Sequence, residues 1–276
     1  MIERYLRPLW AFVFRDFQMT RRYFSWVLVF VFYAMVNAAT IALIGVAADD
    51  FILTLNLVLG ALLWSLLSAM YHEIANSIAY ERWEGTLEYT FMAPVHRLIH
   101  LTGVSLFAIL YSIFKTILIL GMLILFIPMI NFQGANLWGI LVVMLAGSFP
   151  FMGLGLMAAI LPVLSPERGE EATHIFQGVL LLISGVYYPI SVLPNWIQPL
   201  SVVSPATYAL SASRKLLGTD NPLSKEGNLI SANLSDVLPE IGILLVMGVV
   251  LIPLGLFIFH QAEQWAKKHG KLKRTG

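Results

Sequence analysis

The sequence predicts an all-α, polytopic membrane protein, with six transmembrane helices behind an N-terminal amphipathic helix that lies in the membrane interface. Three observations carry this prediction. Of the 276 residues, 58% are hydrophobic and 12% charged, whereas soluble domains carry about 25% charged residues. Six apolar runs reach the roughly 20 residues that a helix needs to cross a hydrocarbon core about 30 Å thick. They are Phe24–Ala47, Ile52–Ile74, Leu101–Ile130, Leu137–Leu164, His174–Ile190 and Val237–Gln261. Finally, Lys and Arg fall mostly on one side of these runs. Thirteen precede the first run, separate the second from the third and the fourth from the fifth, or follow the sixth; only Arg214, Lys215 and Lys225 lie opposite, and Lys115 lies inside a run. Because cytoplasmic loops are enriched in Lys and Arg, both termini are expected in the cytoplasm, with the chain in the cell (inner) membrane.

Residues 1–23 hold Ile2, Tyr5, Leu6, Leu9, Trp10, Val13 and Phe17 at helical spacing, with Arg4, Arg7, Arg15, Gln18 and Arg22 on the other side. That pattern suits a helix lying flat in the headgroup layer, or one packed on a soluble partner. The first apolar run is too long for the core of a signal peptide, so it is expected to be retained. Between the second and third runs, residues 75–100 form the longest polar interruption of the first two thirds of the chain. Ser77 is placed to cap a helix that includes Glu81, Trp83, Glu84, Leu87 and Glu88, and Pro94 is placed to end it near Ala93. On the residues alone this stretch is either a solvated loop with Trp83 in the headgroup belt or a contact with another protein.

The fourth and fifth runs are joined by Ser165-Pro166-Glu167-Arg168-Gly169-Glu170-Glu171. Acidic residues at a helix start explain this turn as well as a second cytoplasmic contact does. After the fifth run, residues 191–236 and the approach to them hold Pro189, Pro194, Pro199, Pro205 and Pro222. Broken backbone at membrane depth must be buried in protein or line water, so a short re-entrant pair of helices is expected there. Asp236 and Pro239 then restart a helix, Pro253 is expected to kink it, and the basic tail Lys267–Arg274 suits anionic lipid.

Chemical motifs are incomplete throughout. His72-Glu73-Ile74-Ala75-Asn76 lacks the second histidine of the zinc signature H-E-x-x-H. Gly153-Leu154-Gly155-Leu156-Met157-Ala158 fits G-x-G-x-x-A but sits inside a span, where small residues serve close helix packing. Neither a phosphate-binding G-x-x-x-x-G-K-[ST] loop nor a G-x-S-x-G elbow occurs, and there is no cysteine to act as nucleophile or metal ligand. The chain is therefore not expected to be an enzyme, to hold a cofactor or metal, or to bind nucleic acid.

The run Glu81-Arg82-Trp83-Glu84-Gly85-Thr86-Leu87-Glu88, followed by Ala93-Pro94 and Gly103, resembles the glycine-threonine-leucine-glutamate segment of the permease subunits of type-2 ABC transporters. A second block, Ser184 to Pro189 with Leu193-Pro194-Asn195-Trp196, Ser204-Pro205-Ala206-Thr207-Tyr208 and Arg214, resembles that family's outer segment. The resemblance spans nearly the whole chain as one transmembrane domain. It implies that the stretch from Glu81 to Glu88 contains a coupling helix docked on a separate ATPase, which would hold ATP and magnesium, and that Gly85 allows a tight turn there. It implies re-entrant outer helices involving Pro189, Pro194, Trp196, Pro205 and Tyr208. It also implies two permease subunits, identical or related, working with two ATPase subunits.

The family places its pathway between spans two and five, so Asn56, Ser65, Gln177, Ser184 and Tyr187, with Lys115 of span three, are the candidate pathway residues. Helix packing is the simpler reading of Ala61, Ser65 and Ala69 at four-residue spacing. A mostly apolar lining suits hydrophobic drugs, lipids or lipid-linked compounds, while the many aromatic residues keep an exported polysaccharide open. From another class, an ion-coupled transporter or channel would use Glu73, Lys115 and Glu240, although no pair of corresponding broken segments suggests inverted repeats. A purely structural membrane subunit is the third alternative.

Overall fold

The computed structural model describes residues 3–165, 169–226 and 228–270, and among these it is helical with no strand. The helices, in chain order, are α1 (Glu3–Arg22), α2 (Phe24–Ala47), α3 (Phe51–Trp83), α4 (Leu87–Met92) and α5 (Arg97–Phe126). They continue with α6 (Leu137–Ala158), α7 (Ile160–Leu164), α8 (Gly169–Ile183), α9 (Pro205–Leu217) and α10 (Leu238–Lys268). Among the described residues, five stretches are long and apolar enough to cross a membrane: α2, α3, α5, the α6–α7 pair, and α10 with the turn that leads into it. The chain is a multi-pass membrane protein.

Burial separates the helices. The most apolar stretch of α3 is 72% buried, against 17% for α2 and for α10, so α3 is the central post and the other two present their apolar sides outward. Leu55, Leu63, Met70, Ile74 and Ile78 of α3 are buried in the main core, while Trp26 and Phe32 of α2 and Val249 and Phe257 of α10 are exposed. Helices α6 and α10 meet at glycines. A Cβ on Gly153 would lie 2.5 Å from the Leu251 carbonyl carbon, and one on Gly255 would lie 2.6 Å from the Gly153 oxygen, so only glycine permits this crossing. The second small residue of the G-x-G-x-x-A run, Gly155, lies against Tyr71 and Ile74 of α3.

Local side chains set the helix starts. Asp50 accepts from the Leu53 N–H at 2.9 Å to begin α3, and Asn136 accepts from the Gly139 N–H at 2.9 Å to begin α6. Ahead of α10, Asn233 and Asp236 form a reciprocal capping box.

Three sequence expectations change here. Ser77 does not cap a new helix. It lies inside α3, which runs unbroken to Trp83 because no helix breaker occurs before Gly85, and the polar residues beyond Ile74 find partners on α1 and α5. The fifth expected run ends early: α8 stops at Ile183, and Gly185 at φ 65°, followed by Pro189, prevents its continuation to Ile190. At 15 residues α8 spans about 22 Å, short of a hydrocarbon core. Third, α5 ends at Phe126, so Ile127–Ile130 belong to the loop.

Candidate functional site: a membrane cleft and the α1 end of the bundle

A cavity of about 750 Å³ runs along α3 between α2 and α8. One wall is aromatic, made by Trp26, Phe30 and Tyr33 of α2 with Trp64 of α3. The other is polar, made by His72, Glu73 and Asn76 of α3, Tyr111 and Lys115 of α5, and His174 and Gln177 of α8. The rings of His72 and His174 lie 4.8 Å apart, joining α3 to α8 across this wall. From Ala61 to Tyr80 the cleft follows α3 for about 28 Å, close to the thickness of a hydrocarbon core.

Of the candidate pathway residues, Ser65, Lys115, Gln177 and Tyr187 line this cleft. Asn56 and Ser184 do not. Asn56 accepts from the Thr219 hydroxyl at 2.8 Å, and Ser184 is buried with its hydroxyl 2.6 Å from that of Ser204. Ala61, Ser65 and Ala69 do not serve only helix packing, because all three face the cavity. His72, Asn76, Tyr111 and His174 were missed. The signal for two of them was the continuation of the 61-65-69 face at three- and four-residue steps through 72, 73, 76 and 80. The competing trio is divided: Glu73 and Lys115 share the cleft, whereas Glu240 is ion-paired with Lys215 elsewhere.

Below the cleft, an ionic cluster fastens α1 to the bundle. Arg15 donates to Asp16 at 2.7 and 2.9 Å, to the Ser77 hydroxyl at 2.8 Å, and to Glu81. The same Glu81 oxygen meets Nε2 of His100 on α5 at 3.1 Å. Burial raises the Asp16 carboxyl above its ordinary value, against the opposing pull of Arg15 and Ser77. For Arg15, burial alone would lower the guanidinium, but the carboxylates of Glu81 and Asp16 outweigh it and leave it raised. Glu73 lines both the cleft and a water-sized cavity of about 20 Å³ beside this cluster.

The eight residues from Glu81 to Glu88 divide between inside and outside. Glu81 and Arg82 are 2% and 1% exposed, and Arg82 donates to the carbonyls of Pro162 and Val163, closing the end of α7. Their side chains hold the bundle together and are not available as a surface. Glu84 is half-buried, bonded to the Tyr23 hydroxyl and 3.6 Å from Arg22. Gly85 takes φ 74°, a left-handed turn that an L side chain resists, and the Thr86 N–H returns to the Glu81 carbonyl at 2.8 Å. Helix α4 follows, with Leu87 and Phe91 buried and Thr86, Glu88, Tyr89 and Met92 exposed alongside Trp83. Arg97 lies 4.4 Å over the Phe91 ring and pairs with Glu263 at 2.8 Å, which ties α4 to the end of α10. In the stretch that joins the fourth and fifth expected runs, Glu167 and Arg168 lie outside the described residues, as do the side chains of Glu170 and Glu171 at the start of α8.

On the opposite end, Pro189 precedes a 3-10 turn (Ile190–Val192), and Pro194 precedes the exposed Trp196 and a second such turn (Gln198–Val203). Pro205 opens α9, where the Tyr208 hydroxyl donates to the Val202 carbonyl at 3.1 Å. Arg214 donates to the carbonyls of Gly185 and Val186 at 3.2 and 3.1 Å, completing the end of α8.

A helical membrane bundle with a drug-sized, partly polar cleft and an amphipathic helix clamped at one end is the architecture of a membrane transport component. The family model for the ABC-2 type transporter matches residues 7–217, and the chain belongs to this family, as a permease subunit. Such a subunit is a transport component rather than an enzyme, and its family implies an ABC ATPase as partner. No curated protein is similar enough in sequence to match the chain.

Proposed function

We propose that this chain is the permease of an ATP-driven exporter, with the α2–α3–α8 cleft as its half of the pathway. Two copies, or this chain and a related one, pair in the cell (inner) membrane with both termini cytoplasmic, as the charge bias favours. The α8 helix and the turns that follow it make a sixth, partly re-entrant crossing. One observation carries the reading: the helix that floors the cleft continues to Trp83 and, after one turn at Gly85, delivers the exposed α4 residues Glu88, Tyr89 and Met92. Exposed aromatic and methionine side chains such as Tyr89 and Met92 are enriched in protein contacts, with a charged residue such as Glu88 suited to the polar rim. A separate ATPase subunit, carrying ATP and Mg²⁺, docks there, with residues 167–171 as a second contact. The cargo is hydrophobic or amphipathic, drug-like or lipid-like, in keeping with the apolar wall.

The test is co-purification with a co-expressed ABC ATPase subunit, together with substrate-dependent ATP turnover in liposomes. Glu88→Arg and Tyr89→Ala, which touch no buried contact, are expected to lose the partner or uncouple turnover, while Lys225→Ala on the far loop keeps both. Full partner retention and turnover in both α4 variants would overturn the coupling role.

A further inference from the structure

The polar wall of the cleft places a carboxyl and an amine, of opposite sign when ionised, in one cavity. Glu73 projects from α3 and Lys115 from α5, and each lies in the other's electrostatic field. Among the described residues, no direct ion pair within 4.0 Å joins them. An ionised side chain at membrane depth is costly unless it meets an opposite charge or water, so two such groups facing one cavity create two separate demands. A cationic ligand answers one demand and an anionic ligand the other. A single ligand carrying both charges answers the two together.

The rest of the cleft describes the body of that ligand. Glu73 sits about 10 Å along α3 from Tyr80 and about 18 Å from Ala61, so the charges lie nearer the end occupied by α1. Toward Ala61 the lining is apolar, with Ala38 and Ile41 of α2 and Leu181 of α8. A volume of about 750 Å³ matches the size range of drug-sized ligands. We infer that the cleft binds an amphipathic zwitterion, with its cationic group on Glu73, its anionic group on Lys115 and its apolar tail along the aromatic wall. This inference rests on reading the cleft as a transport pathway and names the substrate class of that pathway.

The experiment uses the purified permease, without ATPase, in nanodiscs of an anionic lipid. Three single-chain amphiphiles of equal tail length serve as probes: an alkylphosphocholine, an alkyltrimethylammonium and an alkyl phosphate, followed by the fluorescence of Trp26 and Trp64 in the cleft wall. The zwitterion is expected to bind at least about tenfold more tightly than either singly charged probe, the worth of one further charge-assisted hydrogen bond. Lys115→Met should bring the zwitterion down to the level of the cation, and Glu73→Gln to the level of the anion. Lys115→Arg, which keeps the charge, should keep the preference, and the unfolding temperature of each variant confirms that it is folded. Equal binding of the three probes by the wild type, no binding at all, or an undiminished preference in both charge-removing variants would overturn the inference. Nanodiscs containing phosphatidylethanolamine identify the source of the ligand. Loss of probe binding there marks a membrane lipid headgroup as the occupant, and unchanged binding marks a free amphiphile. Because no ATPase is present, a zwitterion preference without coupled transport would remove the exporter reading alone, and coupled transport without the preference would remove this one.

Discussion

Arg15 should be a greater loss to the protein than Glu81, although the two are partners. Arg15→Met keeps most of the side-chain length but removes four hydrogen bonds, to Asp16 twice, Ser77 and Glu81. It leaves the buried Asp16 carboxylate, 6% exposed, with Ser77, and the buried Glu81, 2% exposed, with His100. Leaving a buried charge without its partner costs about 3–5 kcal/mol. Glu81→Gln is milder, because the amide oxygen still accepts from Arg15, whose charge retains Asp16; the loss is about 1–1.5 kcal/mol. The gap of about 2 kcal/mol corresponds to about 4–8 °C in unfolding temperature for a chain of this size. Acidification supplies a second readout. The Asp16 carboxyl stands above its ordinary value because it is buried, and Arg15 is the cation that pulls it down. Removing Arg15 therefore raises it further. A carboxyl raised on folding contributes stability that is complete at low pH and lost as pH rises through its folded value, so the Arg15→Met deficit should shrink as the pH is lowered. Thermal unfolding in nanodiscs measures both effects. A Glu81→Gln protein as unstable as Arg15→Met, or an Arg15→Met deficit that ignores pH, would refute the assignment of Arg15 as the shared partner of two buried carboxylates.

Two further outcomes are expected. Gly153→Ala should cost about 1–3 kcal/mol by forcing α6 from α10, whereas Gly121→Ala, whose Cβ would meet nothing within 4 Å, should be neutral or better in the same unfolding assay. Because the chain has no cysteine, single cysteines at Thr86, Gln133 and Lys225, all exposed, can report orientation. An impermeant thiol reagent on intact cells should label positions 133 and 225 alone, and labelling of position 86 would reverse the topology.

Five of the six expected spans were legible because hydrophobic run length is a local quantity, and Leu137 begins a helix in the structure as it did in the sequence. The end of α3 was not. A hydropathy window stops at His72 and Glu73, but the chain stays helical because those polar groups face the cleft, and Ser77 and Glu81 bond to a residue more than 60 positions upstream. Distance along the chain also hid the burial of Arg82, whose acceptors lie 80 and 81 positions away. Charged residues inside a recognised surface motif read as surface until such partners are seen. The end of α8 was missed for the opposite reason: Ser184-Gly185-Val186 is apolar enough to extend a run, and only the backbone angle at Gly185 shows the break. In the cleft, the α3 face was periodic and findable, but the positions of Lys115 and His174 depend on how α5 and α8 pack.

The continuity of α3 also makes it a lever. Its 33 residues form a rod about 50 Å long. Near one end Gly60 rests so closely on the Val186 carbonyl that a Cβ would come within 2.5 Å of the oxygen, which makes that contact a natural fulcrum. Trp83 lies about 35 Å from it and Glu73 about 20 Å. For a rigid rod, a sideways stroke of about 3 Å at Trp83 becomes a swing of about 1.7 Å at Glu73, roughly half the width of a hydrogen bond. Under the proposed coupling, work done at the far end of the rod would reach the polar wall reduced in amplitude and, by the same ratio, increased in force.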